Sequence, residues 1–485
     1  MSELRTHNPS ARDDGTSVGG VLSARHIIFF VVAAAAPLGF AVGSTPLALG
    51  RGGTGTVLMF LIVGVFLLLF AAGYLAMSRF VPNAGALFSY IAVGLGRPVG
   101  LGAAFVIVFG YAIASAGSIG PFAVFAVQGL DSTLGWSVPW QVLGILAVAL
   151  MGVLGQLNVE LNLRILGVIV IVEVVVLTIL GTGIIFGGGA DGLSLNSFRP
   201  DAISGNHIGV VLLVVFAAFA GFEGTALFRE EARDPARTLR RATFGSIAVI
   251  AVFQCFVTWA IVQAFGADVV DIANEQPTEM FTIAATTFVG PWLAVAITML
   301  VVVSWFASVV AFHNATTRYL FVLGRDRVLP AALGRRANRT GAAWVASATH
   351  TVFALVVVVV CIVLGFDPYL DLFVVGSVPV AVSIPALECL TAVAIFTFFL
   401  RDRRGQSFCV VLVAPGLSAI ALAVVVYLVV SNIPMFTART GAINWILPSL
   451  NLVILFAGLA RAWWIRRSNA ERYNMIGRWG GTSGS

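Results

Sequence analysis

Lysine is absent from this chain, and charge of either sign is scarce. All 28 basic residues are arginine, and charged residues make up only 10% of the 485 positions. The absence of lysine excludes a Walker A phosphate loop and excludes lysine-nucleophile or Schiff-base chemistry. The HExxH pattern of zinc hydrolases is missing as well. The sequence therefore predicts no enzyme activity, no cofactor and no metal site.

Cysteine is also rare. The chain has four, none in a CxxC pair, and all in apolar runs: Cys255, Cys361, Cys389 and Cys409. Isolated cysteines in such surroundings behave as small hydrophobic side chains. We therefore expect neither disulfides nor metal ligands from them.

Apolar sequence is what the chain has in excess. Hydrophobic residues account for 59% of it, and the mean hydropathy is +0.99, whereas soluble domains contain roughly 45–50% apolar residues. The net charge of +6 is not gathered in a basic patch with interleaved aromatics, so no nucleic-acid partner is predicted. The composition indicates an integral membrane protein that contacts the lipid bilayer.

Twelve apolar runs have about the length of 20 residues that a helix needs to cross a bilayer. We therefore expect an all-α integral membrane protein with twelve transmembrane helices. The polar ends, residues 1–22 and 467–485, are expected to be cytoplasmic tails, the first of them disordered. The predicted spans are 25–49, 56–78, 100–126, 138–158, 162–186, 207–231, 239–265, 289–319, 344–364, 369–400, 408–430 and 443–465.

The arginines indicate how the chain is oriented. If the N-terminus is cytoplasmic, the outer loops hold only Arg51, Arg199 and Arg439, and all the other arginines lie in cytoplasmic segments. This asymmetry follows the positive-inside rule. It predicts a multi-pass protein of the cytoplasmic (cell) membrane with both termini inside.

Two spans contain residues that interrupt helices. The first includes PLGFAVGS at 37–44, and the sixth includes AGFEG at 220–224. Glycine costs about 1 kcal/mol inside a helix, and unwound backbone persists in a bilayer only where it lines a cavity or is buried in protein. We expect a break at each site. Because the two spans are five helices apart, they cross in opposite directions, as in transporters built from inverted repeats.

Three motifs resemble those of the amino acid–polyamine–organocation (APC) permeases. Residues 221–242, GFEGTALFREEARDPARTLRRA, are similar to the family's GFE…EE..dP.r..prA signature. Residues 318–330, RYLFVLGRDRVLP, are similar to its R…a..RdG.LP motif, with Arg327 where the family usually has glycine. PNAGA and Tyr90, within 82–90, are similar to P.aGg.y.Y. The motifs follow the family's order and spacing across about residues 25–400.

The resemblance implies a LeuT-like fold. In that fold, five helices and then five more form an inverted repeat, here residues 23–402, and two peripheral helices follow, here 403–466. It also implies that the unwound parts of spans one and six hold the substrate. Helix N-termini suit a substrate carboxylate, and exposed carbonyls suit an ammonium group. The candidate substrate-binding residues are Leu38, Gly39, Phe40, Ala41 and Gly43 of span one and Phe219, Ala220, Gly221 and Phe222 of span six.

Three carboxyl groups are predicted at membrane depth: Glu173 in span five, Glu223 at the second break and Glu388 in span ten. A charge there costs at least about 2.5–3.5 kcal/mol, so each is a candidate proton carrier. Some APC members carry a lysine in span five in place of a sodium ion, and Glu173 stands at about that depth. We expect proton coupling through Glu173. The alternative is sodium, held by carbonyls of span one with Ser304 or Ser308.

Charged residues at the predicted cytoplasmic ends have two interpretations. They could form an inner gate of ion pairs, or a solvated loop whose arginines set the topology. The sequence leaves both open. They are Arg229, Glu230, Glu231, Arg318, Arg325 and Asp326.

Together these features predict a secondary active transporter, a permease that takes up an amino acid by proton-coupled alternating access, as a monomer or homodimer. A zwitterionic amino acid is favoured over a polyamine, because a polycation would require several acids around the pocket. A polyamine or other organic amine as substrate, exchange instead of uptake, and sodium coupling stay open. A channel is a more distant alternative, because no carbonyl filter is visible.

Overall fold

The computed structural model is a bundle of helices. It describes residues 23–81, 86–156, 159–203, 208–225, 232, 234–337 and 341–476, and within them there is no β-strand. The predicted N-terminal tail, residues 1–22, lies outside the described residues, as does 477–485 of the C-terminal tail.

The bundle contains nineteen α-helices in its described parts. Tighter or wider turns of 3₁₀ or π type connect several of them. The helices are α1 (Ala24–Ala35), α2 (Pro37–Gly43), α3 (Thr45–Gly52), α4 (Thr56–Ser78), α5 (Ala86–Leu95), α6 (Arg97–Leu134), α7 (Trp140–Leu154), α8 (Val159–Phe186), α9 (Ile208–Ala218), α10 (Pro235–Phe265), α11 (Val269–Glu275), α12 (Met280–Phe288), α13 (Pro291–Arg325), α14 (Trp344–Val363), α15 (Val378–Arg401), α16 (Ala414–Ser431), α17 (Ile433–Thr437), α18 (Ile443–Ser468) and α19 (Ala470–Met475).

Membrane-length helices dominate this arrangement. Ten helical stretches in the described residues are long and apolar enough to cross a bilayer. The interrupted first span, α1 to α3, and the 15-residue α7 complete the set of twelve that the sequence predicts. The chain is thus an all-α, multi-pass membrane protein.

The first span is broken at Ala36 and again at Ser44. Ala36 has left-handed backbone angles, φ 44° and ψ 68°, a conformation that costs a non-glycine residue roughly 1–2 kcal/mol. Proline disfavours the α conformation in the residue before it but fits the first position of a helix, so Pro37 begins α2. The first span is thus interrupted near 37–44, as the sequence predicts, but Pro37–Gly43 itself is helical and the breaks lie at its two ends.

The sixth span is broken at Gly221. Helix α9 ends at Ala218, Gly221 has φ 105°, and residues 222–225 form one 3₁₀ turn. A φ of that size is readily available only to glycine. The residues that follow, 226–231, lie outside the described part of the chain.

Helices α16 and α18 pack directly on the helices that carry the two breaks and their neighbours. Helix α16 contacts α15, α4 and α9, and α18 lies along α6. The short helix α17 lies between them and contacts both α9 and the π-helical turn at Pro368–Val375. The connection between the last two spans therefore contacts helices of the ten-helix core.

Candidate substrate-binding site

A cavity of about 110 Å³ lies where the two breaks meet. Ala36, at the first break, and Ala220, next to the second, both line it. The other walls come from α3, α6, α9, α13, the turn before α15, α15 itself and α17. Besides those two alanines, the lining residues are Ala35, Phe40, Ser44, Leu47, Ile113, Ala114, Gly117, Ser118, Leu213, Val214, Phe216, Ala217, Trp305, Ser308, Phe312, Phe373, Ser377, Val380, Ala381, Ile384, Pro385 and Phe436.

The lining is aromatic and aliphatic, with a few hydroxyl groups. Among the described residues, none that lines the cavity is acidic or basic, and the polar side chains in this lining are four serines and one tryptophan. The indole N–H of Trp305 has no hydrogen-bond partner in the described residues. Such a lining suits a small neutral solute that carries an apolar group.

Two of the nine predicted substrate-binding residues line this cavity: Phe40 and Ala220. Phe219 and Phe222 are buried, and the ring of Phe222 packs edge-on against Phe70 of α4, with centroids 6.1 Å apart. Outside the lining lie Leu38, Gly39, Ala41, Gly43, Phe219, Gly221 and Phe222. A substrate contact from these seven stays a prediction.

The carboxyl group of Glu173, a residue of α8, lies at the start of α2. Its Oε2 accepts a hydrogen bond from the Leu38 amide at 3.3 Å, and the Ser304 hydroxyl lies within hydrogen-bonding reach of the same carboxyl. The Ser304 Oγ also accepts from the Gly39 amide at 2.9 Å. Pro37 has no N–H, so these two bonds satisfy the amides that the first turn of α2 leaves unpaired. Glu173, 1% exposed, therefore joins span one, span five and span eight.

Glu223 forms a second buried centre one turn beyond the cavity. The Tyr111 hydroxyl donates to its Oε1, and the Gly221 amide donates to its Oε2 at 2.9 Å. The Tyr74 hydroxyl donates to the Glu223 carbonyl at 2.9 Å. Tyr319, whose ring centroid is 5.9 Å from that of Tyr111, extends this aromatic and polar layer. The cluster adjoins the cavity, because the ring of Tyr111 packs on that of the lining residue Phe312, with centroids 5.6 Å apart.

Glu388 lies one helical turn from Ile384, which lines the cavity. It is 1% exposed, and its Oε2 has no partner among the described residues. It is close enough to Glu223 for the two carboxyls to interact electrostatically. Glu388 and Glu223 both stay predicted candidates for proton binding.

The structure describes only three of the six predicted inner-gate residues. Arg229, Glu230 and Glu231 lie outside the described residues. Arg325 and Asp326 form an ion pair with each other at 3.3 Å, which links neighbours in sequence and not two helices. Arg318 lies near Tyr319. An inner gate built from these six residues stays a prediction.

A buried histidine pair, His313 and His350, lies between α13 and α14. Their Nδ1 atoms are 2.7 Å apart, and the His313 Nε2 is 3.0 Å from the Ser347 Oγ. A 2.7 Å contact between two ring nitrogens requires one to donate and one to accept. The pair forms its hydrogen bonds within the protein and joins α13 to α14.

Sequence reasoning missed the walls that spans three, eight and ten supply. Trp305, Phe312 and Phe373 are single aromatics in apolar runs. Nothing in their spacing separates a cavity wall from core packing. Phe436 gave even less signal, because α17 lies outside the ten-helix core that the resemblance implied.

Broken membrane helices around a neutral cavity define a transporter for small solutes. A family model described as "Amino acid permease" matches residues 22–466. The chain belongs to this family, and it is a permease and not an enzyme.

Three relatives show the range of the family. The branched-chain amino acid permease BcaP of Lactococcus lactis subsp. cremoris is 23% identical over 58% of this chain and 63% of its own length. The low-affinity putrescine importer PlaP of Escherichia coli is 28% identical over 34% and 36%. The chloroplastic cationic amino acid transporter 7 of Arabidopsis thaliana is 23% identical over 63% and 54%. The chain thus spans between about a third and two thirds of these relatives.

Proposed function

We propose that this protein takes up a neutral amino acid with an apolar side chain across the cytoplasmic membrane. It does so by alternating access, and protons carried by Glu173 drive the uptake. The observation that carries the proposal is the position of Glu173 at the first helix break, with Leu38 and Ser304 as partners.

The cavity supports a neutral substrate over a polyamine. The part of its lining that the structure describes includes no acid, and there a diamine would have to leave water with two charges unpaired, which is costly. The serines Ser44, Ser118, Ser308 and Ser377 offer hydroxyls to the zwitterionic end of an amino acid. The aromatic and aliphatic walls accommodate its side chain. The branched-chain substrate in the name of one relative agrees with this composition.

Glu173 has the connections that a coupling residue requires. When it is ionised, it holds the Leu38 amide and ties span five to the first break. When it is protonated, its bond to that amide weakens, because a neutral carboxyl is the poorer acceptor. The geometry of the break then differs between the two forms. Alternating access would let the proton enter outside and leave inside.

Uptake into proteoliposomes tests both parts of the proposal. With an acidic exterior and no sodium, we expect accumulation of radiolabelled leucine. Unlabelled isoleucine, valine and phenylalanine should compete more strongly than putrescine, spermidine or arginine. Stronger competition by putrescine than by every neutral amino acid would overturn the substrate assignment.

The coupling ion is tested in the same vesicles. We expect uptake to rise as the external pH falls and to be unchanged when choline replaces sodium. Sodium-dependent uptake that ignores the proton gradient would overturn the coupling assignment. The sodium ligands would then be sought at Ser304 and Ser308, both on α13.

A further inference from the structure

We infer that Phe436, on the short helix α17, contacts the substrate and limits the size of its side chain. We also infer that the Asp371–Arg439 ion pair holds the segment 433–439 over the cavity. The inference rests on the proposed function, because it assigns a specificity residue to that cavity.

Phe436 enters the cavity from outside the ten-helix core. It lies on α17, the five-residue helix between α16 and α18, and its half-buried side chain lines the cavity together with Phe373 and Ser377 of span ten. Helix α17 contacts both α9 and the π-helical turn that contains Phe373. The segment therefore covers one end of the cavity.

An ion pair fixes this segment to span ten. The Arg439 Nη2 lies 2.5 Å from the Asp371 Oδ1. The other carboxylate oxygen of Asp371 accepts a hydrogen bond of 3.0 Å from the backbone amide of Asp367. This bond, at the start of the same π-helical turn, fixes the orientation of the carboxylate. Asp371 is mostly buried and Arg439 is half exposed, which limits what the pair adds to folding stability.

The backbone of the segment is arranged to present Arg439. The Thr437 hydroxyl donates to the Asn444 Oδ1 at 2.8 Å, and the Asn444 Nδ2 donates to the Arg439 carbonyl at 2.7 Å. Ala438, between them, has a left-handed φ of 51°. These bonds close a tight turn between α17 and α18, so the arginine and Phe436 move as one unit.

A second bond closes the same end of the cavity. The Tyr369 hydroxyl donates to the carbonyl of Gly43, the last residue of α2. Tyr369 and Asp371 belong to one π-helical turn. Through Tyr369 this turn binds the end of α2, and through Asp371 it binds the segment 433–439. The arginine distribution of the sequence assigns this end to the outside. The segment thus lies where an amino acid would enter.

Substrate size is the direct test of Phe436. In Phe436→Ala, we expect bulky substrates such as phenylalanine and tryptophan to gain about tenfold relative to alanine, while Phe436→Leu keeps the wild-type order. Phe456→Ala is the matched control, because Phe456 is 62% exposed on α18. An unchanged substrate order in a well-folded Phe436→Ala protein would overturn the specificity role.

Cysteine accessibility tests the ion pair. Ser377→Cys, placed in a background without the four native cysteines, reports entry into the cavity through labelling by a membrane-impermeant thiol reagent. We expect Arg439→Ala and Asp371→Asn each to raise the labelling rate about two- to fivefold. The double variant Asp371→Arg with Arg439→Asp re-forms the ion pair with its charges exchanged, so its labelling rate should return to that of the wild type.

The control is Arg199→Ala, which removes an exposed pair with Asp201 and should leave labelling unchanged. Equal labelling in all variants would overturn the role of the ion pair. Failure of the proposed function looks different: the wild-type protein would then show no amino acid uptake, whereas a failure of this inference leaves uptake intact and substrate order unaltered.

Discussion

The Glu173 carboxyl accepts a hydrogen bond of 3.3 Å from the backbone amide of Leu38, a residue 135 positions away in the sequence. This bond places the side chain of span five at the point where span one is interrupted. Beside it, Ser304 of span eight bonds the next amide, that of Gly39, at 2.9 Å. A change in the protonation of one group thus acts on three helices at once.

Glu173→Gln separates coupling from transport itself. The amide mimics the protonated acid in shape and charge, so the cavity should still bind and exchange amino acid. We expect counterflow, measured as labelled amino acid entering vesicles loaded with unlabelled amino acid, to stay within about twofold of wild type. Accumulation driven by a proton gradient should be abolished. Accumulation at the wild-type level in Glu173→Gln would show that another group carries the proton.

Gly39→Ala tests the close contact between span one and span eight. A Cβ on Gly39 would lie 3.0 Å from the Ser304 Oγ and 3.3 Å from the Trp305 Cδ1. We expect uptake to fall about tenfold, the change that roughly 1.4 kcal/mol produces, since the Gly39–Ser304 bond must lengthen. Gly167→Ala on α8 is the control, because its Cβ would approach only Phe29, at 4.0 Å. Equal activity of the two variants would argue against a tight fit at the break.

The helical part of the fold could be predicted from the sequence because a bilayer imposes one length and one composition on every span. The breaks could be placed to within a few residues from Pro37 and Gly221. The detailed form of the breaks could not be predicted. In span one, Pro37 begins a new helix, so the interruption lies at Ala36 and Leu38 to Gly43 are helical. Cavity walls such as Trp305 depend on helix rotation, which an apolar run without periodicity does not record.

The acids were easier to find than their partners. Glu173 and Glu223 are conspicuous in apolar sequence, but the hydrogen bonds to Leu38 and Tyr111 join positions 135 and 112 residues apart. Such pairs depend on how helices pack, and a single sequence contains no direct sign of them.

Tyr111→Phe tests the buried cluster around Glu223. The Glu223 Oε1 loses its donor, and a buried acceptor left unpaired costs about 1–3 kcal/mol. We therefore expect a lower melting temperature in detergent and slower uptake. In Tyr111→Phe with Glu223→Gln, the two losses should be less than additive. Tyr427→Phe serves as control, since Tyr427 is 70% exposed. Strict additivity would indicate that the two side chains act independently.

Asp326 gives a prediction for stability against pH. Burial raises the pKa of this carboxyl above its ordinary value of 3.8, although the neighbouring Arg325 opposes the change. A raised pKa in the folded state means that this carboxyl's contribution to folding stability is fully present below the ordinary value and is lost as pH rises through the folded value. Asp326→Asn should therefore melt at a higher temperature than wild type at pH 7, and the difference should shrink toward pH 4.

The exposed Asp131 provides the comparison for that measurement. Asp131→Asn should leave the melting temperature close to wild type at both pH values. If Asp326→Asn behaves like Asp131→Asn across the pH range, the Asp326 carboxyl is not held in an unfavourable environment.

Proton movement measured together with amino acid movement tests the central claim most directly. Proteoliposomes that contain a pH-sensitive dye and start without any ion gradient should acidify inside when a neutral amino acid is added outside. Glu173→Gln should show no acidification while it still exchanges labelled amino acid. An interior pH that stays constant during wild-type uptake, or acidification that persists in Glu173→Gln, would contradict coupling through Glu173.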